Sequence, residues 1–283
     1  MGVLSIQSHV VMGYVGNSAA VFALQRMGHE VWPVHTLLFS NHPGHGDFGG
    51  QNLQAPLLSE LVAGLSRQGV FESCEALLSG YLGLASTGPV VLEALSLARR
   101  VNPGVKFVLD PVIGDEDTGV FVATDVVAFI RDELLGHADV VTPNEFELKL
   151  LTGVADDEPL SPLEAAERLR AKGPGLVLVT GIENHPGIIS NLLVGDEGVW
   201  QVDTPKLDLG RRANGAGDFF SACFLGHLLS CGDLVMSLER AVASVYAVLS
   251  YTASAGLDEL DLVRSQARWM APGQTFSARR LRT

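Results

Sequence analysis

VLSIQSHVVMGYVGNSAAVFALQRM, residues Val3 to Met27, holds a short apolar run, a glycine-bearing loop and an amphipathic stretch. Val3–Gln7 reads as a buried strand and Asn17–Met27 as the helix that follows it. Variants of this unit recur along the chain. EVWPVHT, Glu30 to Thr36, reads as a second strand, and Pro33 assigns it to an edge or a bulge because proline has no N–H for the ladder. Beyond the glycine-rich NHPGHGDFGG, a helix is expected over Pro56–Arg67. Strands follow at Ala76–Ser79 and Lys106–Asp110, with a helix over Pro89–Arg100 between them. ADVVT (Ala138–Thr142), LVLVT (Leu176–Thr180) and IISNLLV (Ile188–Val194) continue the strand series, again with helices expected between them. Closing helices are expected at Phe219–Leu229, Ser237–Tyr251 and Leu260–Met270. Alternation of this kind indicates an α/β fold whose mostly parallel sheet is covered on both faces. No repeat, linker or low-complexity block interrupts it, so residues 1–283 are expected to form a single domain.

Composition narrows the function classes. The chain is 47% hydrophobic and only 7% aromatic, which suits a buried parallel sheet. Its 19 Lys and Arg against 32 Asp and Glu give a net charge of −13. That balance speaks against a nucleic-acid footprint and against attraction to an anionic membrane. Backbone donors can still hold a nucleotide's phosphates on an acidic protein. Cys74, Cys223 and Cys231 form no CxxC pair and read as reduced thiols. The start, MGVLSIQSH, lacks a basic signal-peptide region, and no apolar run approaches the ~20 residues of a membrane span. A soluble, cytoplasmic protein is the expectation.

Polar residues gather at the strand ends where open α/β sheets bind ligands: Ser8 and His9, Asp110, Thr142 with Asn144, and Thr180. NGAGD, Asn214 to Asp218, stands at the mouth of an apolar helix. Each glycine there costs roughly 0.5–1 kcal/mol relative to alanine. Glycines at such a junction turn backbone N–H groups toward one point, and the helix N-terminus favours an anion. Asp218 then lies where a carboxylate could take a proton from an attacking hydroxyl, although a dipole-complementing role accounts for the acid alone. In TPNEFE, Thr142 is expected as N-cap, Pro143 as N1 and Glu145 as the capping-box partner. Asn144 and Glu147 are left over on one helix face, a pair that could hold the hydrated magnesium accompanying ATP. DPVIGDEDTG crowds Asp110, Asp115, Glu116 and Asp117 into one loop, a place for a divalent ion or a nucleotide-closing segment. His42 and His45 of HPGHG lack a third ligand at metal-site spacing and read as part of a mobile glycine loop.

With these motifs in this order, the chain resembles the pyridoxal kinases of the ribokinase-like superfamily. IQSHVVMGYVGNSAA, FSNHPGHG, SGYLG (Ser79–Gly83), DPVIGD, TPNEFE and NGAGD carry the resemblance over nearly the whole length, and the tail TFSARRL resembles the family's bacterial branch. The resemblance implies a three-layer sandwich with little or no separate lid. It also implies ATP-dependent phosphorylation of the 5′-hydroxymethyl group of pyridoxal, pyridoxine or pyridoxamine, with Mg²⁺ and a monovalent cation as further expectations, in a homodimer. By it, Asp218 matches the catalytic base, and Gly215, Ala216 and Gly217 match the anion hole. Ser8, Pro43, Gly44 and Tyr81 match the vitamin pocket. Asp110, Asp115, Thr142, Asn144, Glu147, Thr180 and Arg211, Arg212, Ala213 and Asn214 match positions that meet ATP, with Asp110 and Glu147 toward its metal. Relatives often carry Thr at Pro43 and Tyr at His45. A hydroxymethylpyrimidine kinase and a catalytically silent pyridoxal-phosphate binder are the competing readings.

Overall fold

The computed structural model describes residues 2–153, 160–209 and 214–282. Its elements run β1 (Gly2–Val10), α1 (Asn17–Arg26), β2 (Glu30–Phe39), β3 (Gly50–Asn52), α2 (Ala55–Arg67), β4 (Cys74–Ser79), α3 (Thr87–Val101) and β5 (Lys106–Leu109). They continue with β6 (Gly114–Asp115), β7 (Gly119–Val120), α4 (Thr124–Phe129), β8 (Val140–Val141), α5 (Glu145–Thr152), α6 (Pro162–Arg170), β9 (Leu176–His185), β10 (Ile188–Gly195) and β11 (Gly198–Pro205). The last are α7 (Ala216–Cys231), α8 (Leu234–Ser254), α9 (Gln266–Met270) and β12 (Arg279–Arg282).

Ten strands form one sheet in the order β12-β11-β10-β9-β8-β5-β4-β1-β2-β3. The six from β9 to β2 pair in parallel, while β3 and β10–β12 add antiparallel margins. Helices cover both faces because strand residues alternate between two cores. Leu4 and Ile6 of β1 join the core beneath α2–α6, whereas Val3 joins the core beneath α1, α7 and α8. On α1, Ala19, Ala20, Ala23 and Leu24 make the stripe that meets the sheet. Connections from β1 to β2 and from β4 to β5 run in opposite directions, so the strand order reverses between β1 and β4. Ligand crevices of open α/β sheets lie at such a reversal, beyond the carboxyl ends of the strands.

Pro33 sits where expected, since β3 pairs only with Leu37–Phe39 and leaves the Pro33 stretch of β2 as an edge. Three expectations fail. No helix separates β9 from β10: ENHPG turns the chain into an antiparallel hairpin with β11 behind it. The helix expected over Leu260–Met270 is confined to Gln266–Met270. Leu260 and Leu262 are both buried two residues apart, a spacing no helix face provides, and Asp261 instead closes a turn by accepting Arg264 N–H at 2.9 Å. Finally, α8 is a 21-residue helix of mean hydropathy 1.2, long and apolar enough for a membrane span. Here it packs against α7 and α9, with Leu238, Ala241, Val242 and Val248 in the core.

Candidate active site

Gly215 turns the chain into α7 from the left-handed region, at φ 88°. A Cβ there would also overlap the carbonyl oxygen of Tyr14, so only glycine lets the β1–α1 loop back onto the helix start. The helix begins at Ala216, three residues earlier than the apolar pattern alone suggested, and this puts Gly217 and Asp218 in its first turn. Backbone N–H groups of a first turn have no intrahelical acceptor. Gly217 faces open space, with no heavy atom within 4 Å of a Cβ built on it. The glycines of NGAGD therefore serve different ends, Gly215 fitting a conformation and Gly217 leaving space where a side chain would otherwise stand.

Asp218 is buried, with the backbone N–H of Gly16 near enough to its carboxylate to favour the charged form. Among the described residues its Oδ1 has no hydrogen-bond partner. Burial pushes its pKa up to about 6, against the opposing pull of the Gly16 N–H. Gly16 in turn packs on Ser8, whose Oγ a Cβ at Gly16 would overlap. One helical turn beyond Asp218, Ser221 donates to Asp110 Oδ2 at 2.9 Å and lies 2.9 Å from Thr142 Oγ1. Asp110 is held well above the usual carboxylate range by burial first, then by the charges of Asp218 and Glu147. Hydrogen bonds from Ser221 and Thr142 oppose the rise. Three carboxylates thus share one buried neighbourhood, an arrangement that calls for a cation or a proton.

Glu147 corrects the expectation for TPNEFE. The capping box belongs to Asn144 and Glu147, not to Thr142 and Glu145: Asn144 Oδ1 accepts Glu147 N–H at 2.8 Å, and Glu147 Oε2 accepts Asn144 N–H at 3.0 Å. The sheet explains the shift. Thr142 N–H is bonded to Leu109 and Pro143 C=O to Thr180 N–H, which keeps the chain extended until Asn144. Glu145 pairs instead with Lys149, 3.1 Å away on the surface. The other oxygen of Glu147 accepts Ile113 N–H at 2.7 Å and Gly114 N–H at 3.4 Å. Asn144 Nδ2 donates to Gly114 C=O at 2.8 Å, so both residues brace the loop after Asp110. Burial lifts the Glu147 pKa to about 7 despite those donors. Asp115 Oδ1 closes the β6–β7 turn through Asp117 N–H and Thr118 N–H, at 3.0 and 2.9 Å.

Thr36 Oγ1 donates to Tyr81 C=O at 2.7 Å, fixing the turn after β4. The Tyr81 ring lies 6.3 Å from Phe121, an exposed residue of the loop beyond β7. Pro43 and Gly44 form a single 3₁₀ turn capped by His42, whose Nδ1 accepts Gly44 N–H at 3.1 Å. Asn214 reaches the same nitrogen at 3.2 Å. His45 Nε2 pairs with Glu259 at 2.9 Å, so HPGHG is held at two points. Arg211, Arg212 and Ala213 lie outside the described residues.

This geometry has relatives. A protein of Rubrobacter xylanophilus named pyridoxal kinase PdxY is 46% identical over 99% of this chain and 98% of its own. One of Corynebacterium diphtheriae with the same name is 40% identical, over 99% and 100%. The chain belongs to the pyridoxal kinase family. The pyridoxal kinase of Leishmania donovani, solved with ADP and pyridoxine, superposes with a TM-score of 0.90 at 27% identity, covering 99% of both chains. A family model described as phosphomethylpyrimidine kinase also matches residues 68–261.

In this pyridoxal kinase, a metal is tested by charge and by ligand supply. Among the described residues no group of three or more His, Cys, Asp or Glu side chains could hold one. Glu147 is engaged by three N–H groups, which leaves Asp110 as the better-placed ligand. The site fits Mg²⁺ that arrives with a nucleotide and takes most of its ligands from phosphate and water. Sequence reading missed Gly16, Ser221 and Phe121 as parts of the site. Only Ser221 left a signal, three residues from Asp218 and so on its helix face; the other two reach the site through the tertiary fold.

Proposed function

We propose that the 283 residues form one catalytic domain that transfers the γ-phosphoryl group of ATP to the 5′-hydroxymethyl group of pyridoxal, or of pyridoxine or pyridoxamine, giving the 5′-phosphate and ADP. The observation that carries this reading is Asp218: a buried carboxylate, one oxygen without a partner among the described residues, in the first turn of a helix that opens beside the unobstructed Gly217. Asp218 accepts the hydroxyl proton as the oxygen attacks phosphorus. Its pKa of about 6 keeps it ionised at neutral pH yet more basic than an exposed aspartate. The N–H groups of Gly215, Ala216 and Gly217 stabilise the charge that builds on the transferring oxygens. Ser8 and Tyr81 border the vitamin, and the segment Arg211–Asn214 with Thr180 borders the nucleotide. Asp110 would hold Mg²⁺, which when bound neutralises phosphate charge, while Glu147 and Asn144 keep the loop behind Asp110 in place.

The family model supports a second reading, a hydroxymethylpyrimidine kinase with the same base and cradle. ADP release measured across pyridoxal, pyridoxine, pyridoxamine and hydroxymethylpyrimidine decides between them. Turnover of the pyrimidine alone would overturn the vitamin assignment, and no turnover with any of the four would leave a silent binder. Family resemblance also supports a cytoplasmic homodimer, for which sedimentation of the purified chain is the test of assembly.

A further inference from the structure

Asn214 opens the NGAGD cradle, yet its side chain meets the loop on the far side of the site. Asn214 Nδ2 lies 3.2 Å from His42 Nδ1, the same nitrogen that accepts Gly44 N–H at 3.1 Å. A backbone N–H can only donate, so Nδ1 is an acceptor, the ring is neutral with its proton on Nε2, and Asn214 must present its NH₂ group. Burial, and after it His45, holds the His42 pKa below its ordinary value, in keeping with the neutral ring. Contact is close on all sides: a Cβ on Gly44 would stand 2.9 Å from His42 Nδ1 and 3.5 Å from Asn214 Nδ2. The same loop is held a second time by the His45–Glu259 pair, a contact made without Asn214.

We propose that Asn214 is a positioning residue that couples the two substrate sites, tying the loop Asn41–Gly46 through His42 to the start of α7. Order imposed on the cradle by a nucleotide then passes to the loop that borders the acceptor alcohol, and each substrate strengthens the binding of the other by the same factor. This inference rests on the phosphotransferase reading given above, but its test does not require turnover.

Hydrogen exchange of the intact chain, with and without saturating MgADP, reads the coupling directly. In the parent, MgADP slows exchange in a peptide spanning residues 41–50, which contains the bonded N–H groups of Gly44, His45 and Gly46. In Asn214→Ala and the near-isosteric Asn214→Leu, that nucleotide-linked slowing falls by about two- to twelvefold, the worth of one hydrogen bond, while the start of α7 remains protected by MgADP. His42→Asn keeps an acceptor near the position of Nδ1 and retains the effect. Glu259→Ala speeds exchange in both states and also retains it. Equal slowing in the parent and both Asn214 variants overturns the proposal, as does a parent loop that ignores MgADP. A parent that shows the difference but phosphorylates none of the vitamers keeps the coupling and refutes the function instead.

Discussion

Replacing Asp218 with asparagine keeps the side chain's shape and an oxygen toward the Gly16 N–H, and removes the charge. The carboxyl stands at about 6 in the folded protein against an ordinary value of 3.8, with burial as the leading cause. At about 1.4 kcal/mol per pKa unit, the folded state carries roughly 3 kcal/mol of destabilisation wherever the group is ionised in both states. Above about pH 6 that destabilisation is complete. Below about pH 4 the carboxyl is neutral whether the chain is folded or not, and the penalty vanishes. The parent therefore loses stability from this group as pH rises from 4 to 6, and the asparagine variant does not. Relief of the repulsion on Asp110 acts in the same direction. With about 2.1 cal/mol/K of unfolding entropy per residue, a chain this long converts roughly 3 kcal/mol into a melting shift of about 5 °C. We expect Asp218→Asn to melt about 5 °C above the parent at pH 8 and level with it near pH 4, while its kcat falls by about 10²–10⁴. Paired melts across that range, with steady-state rates at pH 8, provide the measurement. A melting difference that stays flat with pH, or an asparagine variant that is the less stable protein at pH 8, refutes the buried, ionised base.

Gly217→Ala should leave Tm unchanged or raised, because its Cβ meets nothing and alanine suits a helix, yet weaken ATP binding measured by calorimetry. Gly215→Ala, forced against Tyr14, should fail to assemble the site at all; a normally active Gly215→Ala enzyme would contradict the packing. Glu147→Gln sets an NH₂ group against backbone donors, so it should lower Tm by an amount equivalent to about 1–3 kcal/mol and raise the Mg²⁺ needed for half-maximal activity. Glu145→Gln loses only an exposed pair with Lys149 and should change neither. Pro43→Thr should lower the KM for pyridoxal by about two- to twelvefold with little change in kcat, through one added hydrogen bond. An unchanged or raised KM means that the proline's role is to hold the turn.

Several features were legible in the residues themselves because local chemistry dictates them. Alternating strand and helix periods fix an α/β sheet, Pro33 marks an uncovered edge, and NGAGD announces a helix start. Each depends on a period, a missing N–H or a backbone conformation within a few residues. Other features depend on neighbours far along the chain. Thr142 and Glu145 looked like a capping box until the sheet, bonded through Thr142 and Pro143, held the chain extended and moved the cap to Asn144. The Leu260–Met270 pattern looked helical until Leu260 and Leu262 were both drawn into the core. Asp218 could be named from its motif, but its basicity could not. That comes from burial, from an oxygen without a partner among the described residues and from the N–H of Gly16, about 200 residues away in sequence. The sequence by itself determined which groups could act as base and cradle. Only the tertiary structure decided which of them are desolvated, which are already spent on backbone donors and which face one another, because desolvation and hydrogen-bond partnership are properties of the packed neighbourhood rather than of any short stretch of chain.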